Sequence, residues 1–399
     1  MNLDQLLQKQ IKHAYENTEA TRTRLDAAGL TPDDIQTVGD LQKLKVMPKD
    51  EVVQMQAKNP PFGGLLAVPM SSVSHIFFSP GPLYEPDVEG NMDDRDVWGG
   101  GLTDAGFGPG DVVLNTLSYH LVPAGLMVDK ALVRAGCTVV PGGVGNSDLQ
   151  LKMMIDLGVT AYAGTPSFLA TLLEKAEAMG LNVKDDMKLE KAFVSAEPLP
   201  KSLRDKLVDH YGLQVTNGYG TAELGMIAMD NQGSMAMKMA PSPIIEVVDT
   251  ETGKHVANGE AGEVVVTNFN YAYPLIRFGT GEMAIFGDPD PGNSAQSDRT
   301  VTLVGRSGDA VKVRGMFVHP NQLRFAASQV LKFTGIQGVV TRPENRDYFV
   351  VRVVSAETEK GDFLKGALQQ VCRVKIDAIE FVDAIGEGER GMVDARSWD

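Results

Sequence analysis

The stretch "TNGYGTAELG", residues 216–225, decides the fold of this 399-residue chain. It follows an apolar run that predicts a strand, and α/β sheets bind their ligands where such strands end. Its glycines let the backbone approach a flat ligand closely, and its tyrosine offers an aromatic face. Its asparagine can pair with an amide-like edge, and its glutamate can ligate a hard cation. An ordinary glycine-rich turn would have the same sequence. The neighbouring segments are therefore needed to distinguish a ligand-binding motif from such a turn.

The segments before this stretch alternate between apolar runs and helical patterns. Apolar runs at 112–117, 137–143 and 159–164 are separated by helical stretches, and a further helix is predicted from Pro166 to Met179. Strands that alternate with helices of this length predict a largely parallel α/β sheet.

The pattern changes after about residue 260, where β-rich segments with tight turns follow one another. The last part of the chain has its own helix and strands. We therefore predict an α/β fold in which a large N-terminal domain, residues 1–307, contains parallel sheets and a β-rich subdomain. A small, mobile α+β domain, residues 309–399, follows it.

Composition excludes several classes of partner. The formal charge of −15 and the isoelectric point near 4.9 argue against a nucleic-acid or anionic-membrane surface, so a small-molecule partner is expected. Cys137 and Cys372 lie in separate apolar runs, which predicts buried side chains rather than a disulfide or a zinc site. No segment approaches the roughly 20 apolar residues that a membrane span needs, and we expect a cytoplasmic protein.

Four motifs resemble the adenylate-forming enzymes, the superfamily of acyl-CoA synthetases. They are "SAEPLP" at 195–200, "NGYGTAE" at 217–223, "PLIRFGTGE" at 274–282 and "GRSGDAVKVRG" at 305–315, and they occur in the order and spacing of that superfamily. The leader before residue 53 and the segment "GTPSFLATLLEKA" at 164–176 are similar to the phenylacetate–CoA ligase branch. The resemblance covers nearly the whole chain.

The resemblance implies a reaction in two steps. A small carboxylic acid attacks the α-phosphate of ATP to give an acyl-adenylate and pyrophosphate, and the thiol of CoA then displaces AMP. It therefore implies ATP or AMP, CoA and Mg²⁺ as cofactors, and a homodimer as the assembly.

The resemblance also implies the site residues. Glu223 would bind Mg²⁺, Tyr219 would stack on adenine, and Glu282 would bind the ribose together with Arg306. The implied nucleotide site comprises Ser79, Gly81, Ala196, Glu197, Asn217, Gly218, Tyr219, Gly220, Thr221, Ala222, Glu282, Arg306 and Lys312.

The implied catalytic residues are Glu223, His120 and Arg390, and the implied hinge between the domains is Ser307 with Gly308. His120 falls where such enzymes often have a gate beside the acyl pocket, although a lone histidine after an apolar run is commonly structural. Arg390 lies next to the family's catalytic lysine position.

The chain departs from the family pattern at its phosphate end. The family loop rich in Ser, Thr and Gly is replaced by "FFSPGPLYEP" at 77–86, in which Pro80 and Pro82 donate no N–H and Glu85 stands in place of a lysine. Near the C-terminus, Gly388 or Glu389 occupies the position of the catalytic lysine.

Three functions therefore remain open from the sequence. The first is an AMP-forming acid–CoA ligase with impaired adenylation. The second is a relative that binds an adenine-containing ligand without adenylating a substrate. The third is an adenylyltransferase that acts on an acceptor other than CoA.

Overall fold

The computed structural model describes residues 2–79, 82–88, 97–230, 233–259, 261–306, 311–314, 316–318, 320–372, 374–386 and 390–396. The chain divides into two compact units. The first unit comprises Met1–Gly164, Asn182–Val194 and Leu213–Ser307. The second unit comprises Thr165–Leu181, Ser195–Gly212 and Gly308–Asp399. The domain limits expected from the sequence stay a prediction.

The α-helices are α1 (Leu3–Asn17), α2 (Glu19–Ala27), α3 (Lys49–Lys58), α4 (Val97–Asp104), α5 (Ala124–Arg134), α6 (Ser147–Asp156), α7 (Pro166–Ala178), α8 (Val183–Asp186), α9 (Lys201–Asp205), α10 (Pro320–Ser328) and α11 (Gly361–Cys372). The strands are β1 (Met47–Pro48), β2 (His75–Ser79), β3 (Leu83–Asp87), β4 (Val112–Asn115), β5 (Thr138–Pro141), β6 (Ala161–Gly164), β7 (Lys191–Val194), β8 (Gln214–Thr221), β9 (Gly225–Asp230), β10 (Met237–Met239), β11 (Ile244–Val248), β12 (Ala261–Thr267), β13 (Phe278–Gly287), β14 (Thr300–Arg306), β15 (Val311–Val313), β16 (Met316–Val318), β17 (Gly335–Thr341), β18 (Tyr348–Val354), β19 (Ala378–Phe381) and β20 (Met392–Asp394).

The first unit is organised around one large mixed sheet. Its strands run in the order β11-β12-β13-β14-β10-β9-β8-β7-β6-β4-β5, and β1 pairs with β13. Pairing is parallel at one end of the sheet, along β5-β4-β6-β7-β8. It is antiparallel over the rest of the order, along β8-β9-β10-β14-β13-β12-β11. The sheet confirms the predicted parallel α/β portion and the β-rich portion after it.

Strand β8 is where the sheet changes from parallel to antiparallel pairing. It carries residues 216–221 of the motif, and it pairs parallel with β7 on one side and antiparallel with β9 on the other. The sequence left open whether a helix or a turn follows this strand. The structure has a tight turn over Ala222–Leu224, because an antiparallel neighbour needs only a hairpin connection.

The replaced phosphate loop forms a separate two-stranded hairpin. Strands β2 and β3 pair antiparallel from His75 opposite Asp87 to Ser79 opposite Leu83. The side chain of Gln56 on α3 accepts a hydrogen bond from the Tyr84 N–H at 2.8 Å and donates one to the Tyr84 carbonyl at 2.8 Å. Both backbone groups of one residue on β3 are thus held by a single side chain, which fixes the position of this strand.

A buried ion pair holds the β-rich part of the first unit together. The guanidinium of Arg277 donates to both carboxylate oxygens of Glu246, at 3.1 and 3.0 Å. It also donates to the carbonyl of Leu44 at 2.5 Å and to the carbonyl of Gly253 at 2.7 Å. Both charged side chains are 1% exposed, and Arg277 has a φ of 50°, so the surrounding contacts hold a residue in the left-handed region.

The second unit contains a four-stranded sheet in the order β19-β18-β17-β20 and the hairpin β15-β16. Helices α10 and α11 supply residues to its apolar core, which includes Leu323, Phe349, Leu364 and Leu368. This confirms the predicted small α+β portion. Helix α7 also belongs to this unit and begins where the sequence predicts, with the Thr165 hydroxyl accepting from the Phe168 N–H at 3.4 Å.

Both cysteines are buried, as predicted. Burial raises the pKa of the Cys137 thiol to about 11 and that of the Cys372 thiol to about 12, so neither is a reactive thiolate near neutral pH. In the part of the chain that the structure describes, no helix combines the length and apolar character needed to cross a membrane.

Candidate functional site

The first unit contains a cavity of about 220 Å³ beside the turn between β8 and β9. One wall comes from the hairpin β2-β3, another from α4 and α5, and a third from the turn itself. Residues just before β11 and just after β12, including Phe269 and Tyr273, complete the lining. The aromatic and charged side chains that line the cavity are Phe77, Glu85, Asp87, Trp98, Lys130, Glu223, Phe269 and Tyr273. Aromatic walls with a few converging polar groups are typical of a small-molecule site.

Glu85 of β3 is a buried acid in this wall. It is 6% exposed, and its Oε1 accepts a hydrogen bond of 2.5 Å from the Ser79 hydroxyl. Burial, and then the charge of Glu223, raise the pKa of Glu85 to about 8, although the Ser79 hydroxyl and Lys49 oppose the shift. Most of the Glu85 side chains therefore carry a proton at neutral pH. The repulsion of phosphate that the sequence suggests is weaker than a full charge would give.

The raised pKa of Glu85 predicts a pH-dependent stability. A carboxyl whose folded pKa lies above its unfolded value of 4.5 binds more protons in the folded state, so stability falls as pH rises from 4.5 to about 8. Glu85→Gln removes this titration. We expect the variant to gain stability relative to the native protein progressively over that window, measured by urea unfolding at pH 5, 6.5 and 8. A constant difference at all three values would contradict the raised pKa.

Glu223 lies in the turn after β8 and forms an ion pair that the sequence did not indicate. Its Oε1 is 2.5 Å from the Nζ of Lys49, the first residue of α3. Burial alone would raise the pKa of Glu223, but the charge of Lys49 and its hydrogen bond outweigh burial and lower it. Glu85 and Glu282 lie near enough to support the charged form of Lys49, whose pKa is raised. The positive charge of Lys49 therefore interacts with three carboxyl groups, those of Glu223, Glu85 and Glu282.

The glycines of the motif allow a close approach between backbone segments. A Cβ atom at Gly220 would lie 2.5 Å from the carbonyl oxygen of Gly225, and one at Gly218 would lie 2.5 Å from the ring of Phe193. Gly225 has a φ of 77°, and a Cβ there would meet the indole nitrogen of Trp98 at 2.8 Å. The glycines thus fit the turn around the Trp98 ring.

Two of the motif's larger side chains, Asn217 and Tyr219, are two residues apart on β8 and lie on the same face of the strand. Tyr219 is 6% exposed and packs in an apolar cluster with Ile227, Met239 and Val266. Asn217 is half-buried and donates from Nδ2 to the sulfur of Met237 at 3.9 Å, a weak interaction. The adenine contacts implied for both residues stay predictions.

The other implied nucleotide residues of the first unit fall in two places. Ala222 lines the cavity together with Glu223. Ser79 donates a hydrogen bond to Glu85, which lines the cavity, and Thr221 is the last residue of β8 before the turn. Glu282 on β13 pairs directly with Arg306 on β14, so the two residues implied to bind ribose are neighbours across two strands.

Four other implied site residues, Ala196, Glu197, Lys312 and Arg390, belong to the second unit. In the second unit, Ala196 has a φ of 72°, and Glu197 accepts a hydrogen bond from the Ser167 N–H at 2.7 Å. Burial raises the pKa of Glu197. The side chain of Arg390 is exposed, and its carbonyl accepts from Gln337.

The roles of these residues stay predictions, as do those of Lys312 on β15 and of His120. The latter is exposed and does not line the described cavity. Gly81, Ser307, Gly308, Gly388 and Glu389 lie outside the described residues.

Sequence reasoning missed Lys49 and Trp98. Lys49 begins a helix in the N-terminal leader, and nothing in its local pattern distinguishes it from a solvated lysine. Trp98 is one of the two tryptophans of the chain, and this scarcity is the one sequence signal that could have singled it out.

Comparison with known proteins adds the family context. Residues 95–272 match a family model described as AMP-binding enzyme. Phenylacetate-coenzyme A ligase of Escherichia coli (strain K12) is 30% identical over 344 residues, which are 82% of this chain and 75% of that protein. Phenylacetate-coenzyme A ligase of Pseudomonas putida is 29% identical over 337 residues, covering 81% of this chain and 73% of that protein.

A solved structure has the same fold. A 2-hydroxyisobutyryl-CoA ligase in complex with 2-HIB-AMP and CoA superposes with a TM-score of 0.87 at 22% identity, covering 99% of this chain and 89% of that one. At this identity the likeness concerns the fold alone.

Proposed function

This chain belongs to the phenylacetate–CoA ligase family of AMP-forming acid–CoA ligases, and we propose that the cavity of its first unit binds the carboxylic acid substrate. The observation that carries the proposal is that Ala222 and Glu223, from the motif implied to bind the nucleotide, line the same cavity as an aromatic wall. The volume of about 220 Å³ suits a small organic acid, since it lies below the roughly 300 Å³ at which pockets for drug-sized ligands begin.

The aromatic wall contains a hydrogen-bond donor that a ligand would satisfy. The indole nitrogen of Trp98 is buried and has no acceptor among the residues that the structure describes. Because an unsatisfied buried donor costs roughly 1–3 kcal/mol, a ligand oxygen that accepts from it gains that free energy on binding. A carboxylate or carbonyl oxygen in the cavity is such an acceptor.

Lys49 supplies positive charge at the reacting end of the site. In the ligase reaction an oxygen of the acid attacks the α-phosphorus of ATP, and the bond from that phosphorus to pyrophosphate breaks. The CoA sulfur then attacks the acyl carbon, AMP leaves, and the thiol proton goes to solvent. Negative charge develops on the phosphoryl group in the first step, and an ammonium fixed beside Glu223 stabilises it.

Mg²⁺ does not fit Glu223 while this ion pair is formed. Mg²⁺ requires oxygen ligands at about 2.0–2.1 Å in an octahedron, and an ammonium lies 2.5 Å from the carboxylate oxygen that would be one of them. Among the described residues, no group of three or more His, Cys, Asp or Glu side chains could hold a metal ion. Glu223 as a metal ligand stays a prediction.

The proposed function is tested by product analysis. The protein is incubated with ATP, CoA and a panel of small aromatic and aliphatic acids, and AMP and acyl-CoA are measured by chromatography and mass spectrometry. Acid-dependent formation of both products supports the ligase. Acyl-adenylate without thioester would favour transfer to another acceptor, and AMP binding without pyrophosphate exchange would favour the non-adenylating alternative. The CoA ligases among the relatives favour the first outcome.

The altered hairpin predicts an unusual nucleotide preference. We expect the native protein to bind AMP at least as tightly as ATP, because Pro82 donates no N–H and Glu85 replaces the lysine of the family loop. Parallel calorimetric titrations with the two nucleotides measure this. Grafting the family loop onto residues 79–86 should raise ATP affinity selectively, since it adds donors for the β and γ phosphates alone. Clearly tighter binding of ATP by the native protein would refute the expectation.

Two predictions concern the protein's assembly and location. The homodimer implied by the family resemblance is tested by light scattering on the purified chain. The expected cytoplasmic location is tested by fractionating cells that produce it.

A further inference from the structure

The cavity wall carries three acidic side chains, Glu85, Asp87 and Glu223, and one lysine, Lys130, which is already paired. The Nζ of Lys130 lies 2.9 Å from a carboxylate oxygen of Asp87, to which His75 is also bound at 3.1 Å. Lys49, which is not one of the lining residues, is paired with Glu223. An acid that brings only a negative charge therefore finds no uncommitted ammonium among the described residues of this wall.

Glu85 is the acidic group of the wall that has no cationic partner in hydrogen-bond contact in the described part of the chain. The Ser79 hydroxyl binds one carboxyl oxygen, and the other oxygen, Oε2, is buried without a hydrogen-bond partner. A native protein keeps so few unsatisfied buried oxygens that each one calls for an explanation, and a missing ligand is one of them. The hydrogen bonds from Gln56 to Tyr84 fix the neighbouring backbone, so the carboxyl group is held in place before any ligand binds.

Aromatic rings line the same cavity as Glu85. Phe77, Trp98, Phe269 and Tyr273 all contribute to its wall. The faces of such rings attract an ammonium group by roughly 0.5–2 kcal/mol, most strongly when water is excluded. A carboxyl oxygen without a partner and an aromatic wall together form the surroundings in which proteins bind organic ammonium ions.

We propose that the acid substrate of this site also carries an amine, whose ammonium group binds Oε2 of Glu85 against the aromatic wall. The inference rests on the proposed function, because it assumes that the cavity takes the acid. The ammonium stabilises the ionised form of Glu85, whose proton goes to solvent, and the substrate's carboxylate is left to accept a hydrogen bond from the Trp98 N–H. A plain or hydroxylated acid that accepts a hydrogen bond from a protonated Glu85 is the competing explanation.

The test compares acids of equal size with and without the amine. Calorimetric titration of the full chain uses 4-(aminomethyl)benzoate against 4-ethylbenzoate, and phenylalanine against 2-methyl-3-phenylpropanoate, so that a distal and an α-amine are both sampled. We expect at least one amine to bind at least tenfold more tightly than its partner. Equal binding within both pairs, absence of binding by all four acids, or tighter binding of the uncharged acids would overturn the proposal.

Two variants identify the group responsible. Glu85→Gln keeps the shape of the side chain and removes its ability to ionise when an ammonium binds, and it should reduce the preference for the amine to less than threefold. Ser79→Ala is the matched control, since it removes the other hydrogen bond of the same carboxyl group and should retain the preference. A tenfold preference that persists in Glu85→Gln would assign the amine to another group and overturn the proposal.

The same acids separate this inference from the proposed function. Thioester formed equally well from both members of each pair, without a binding preference, would refute the amine and leave the ligase standing. Preferential binding of an amine without AMP or thioester from any acid would refute the ligase and leave the amine site standing.

Discussion

Replacing Arg277 with leucine is expected to lower the free energy of unfolding by about 3–5 kcal/mol. Leucine would leave the carboxylate of Glu246 buried with only the imidazole of His255, at 2.8 Å, in place of the guanidinium among the described residues, and it would remove the Arg277 donor from the carbonyls of Leu44 and Gly253. An uncompensated buried charge costs far more than the loss of an exposed ion pair. Urea unfolding followed by circular dichroism measures the change.

Two control variants distinguish the effect of the buried ion pair from the effect of losing any arginine. Arg22→Leu removes an exposed arginine of the same unit, which donates to the carbonyls of Tyr15 and Glu16, and it should cost less than about 1 kcal/mol. Arg277→Lys keeps the positive charge but loses the bidentate contact with Glu246. Its loss in free energy of unfolding should therefore lie between those of Arg22→Leu and Arg277→Leu. A loss below 1 kcal/mol in Arg277→Leu would show that the pair contributes little.

Replacing Lys49 with methionine is expected to slow thioester formation about 100-fold, the lower end of the loss seen when a preorganised donor to a developing charge is removed. Methionine has similar length and fills the same space, but it leaves Glu223 beside Glu85 with no ammonium between them. The pKa of Glu223 should then rise, because Lys49 is the cause that keeps it low. Initial rates of AMP release at saturating acid, ATP and CoA measure the effect.

Lys58→Met is the matched control on the same helix. This lysine is exposed in the last turn of α3, and its loss should leave the rate unchanged. Lys49→Arg keeps the positive charge and should retain more activity than the methionine variant. Native rates in Lys49→Met, with the variant folded, would remove Lys49 from the proposed mechanism.

Local sequence patterns were sufficient to predict many of the strands and helices. The apolar runs and helical stretches between residues 112 and 178 appear in the structure as β4 to β6 and α5 to α7, because the spacing of apolar side chains fixes which face of each element is buried. The helix predicted from Pro166 to Met179 runs from Pro166 to Ala178, since Pro166 fits the first turn and Thr165 caps it.

The order of the motifs along the chain was sufficient to predict the family and some of the site residues. The four motifs identify the adenylate-forming superfamily, and Glu85 in the altered loop reverses the charge of the family's lysine. The sequence could not give the protonation of Glu85, because its pKa depends on how much water the folded chain removes and on the charge of Glu223, which lies far away in sequence.

By itself the sequence determined the alternation of strands and helices, the family and the loss of the phosphate loop, because each is written in residues that are close together in the chain. The tertiary structure alone decided that Lys49 pairs with Glu223, that Gln56 holds the hairpin of Glu85, and that Trp98 covers the motif's turn. These contacts join segments remote in sequence, and burial sets their strength. No local pattern records either the distance between two such side chains or the water that folding excludes from them.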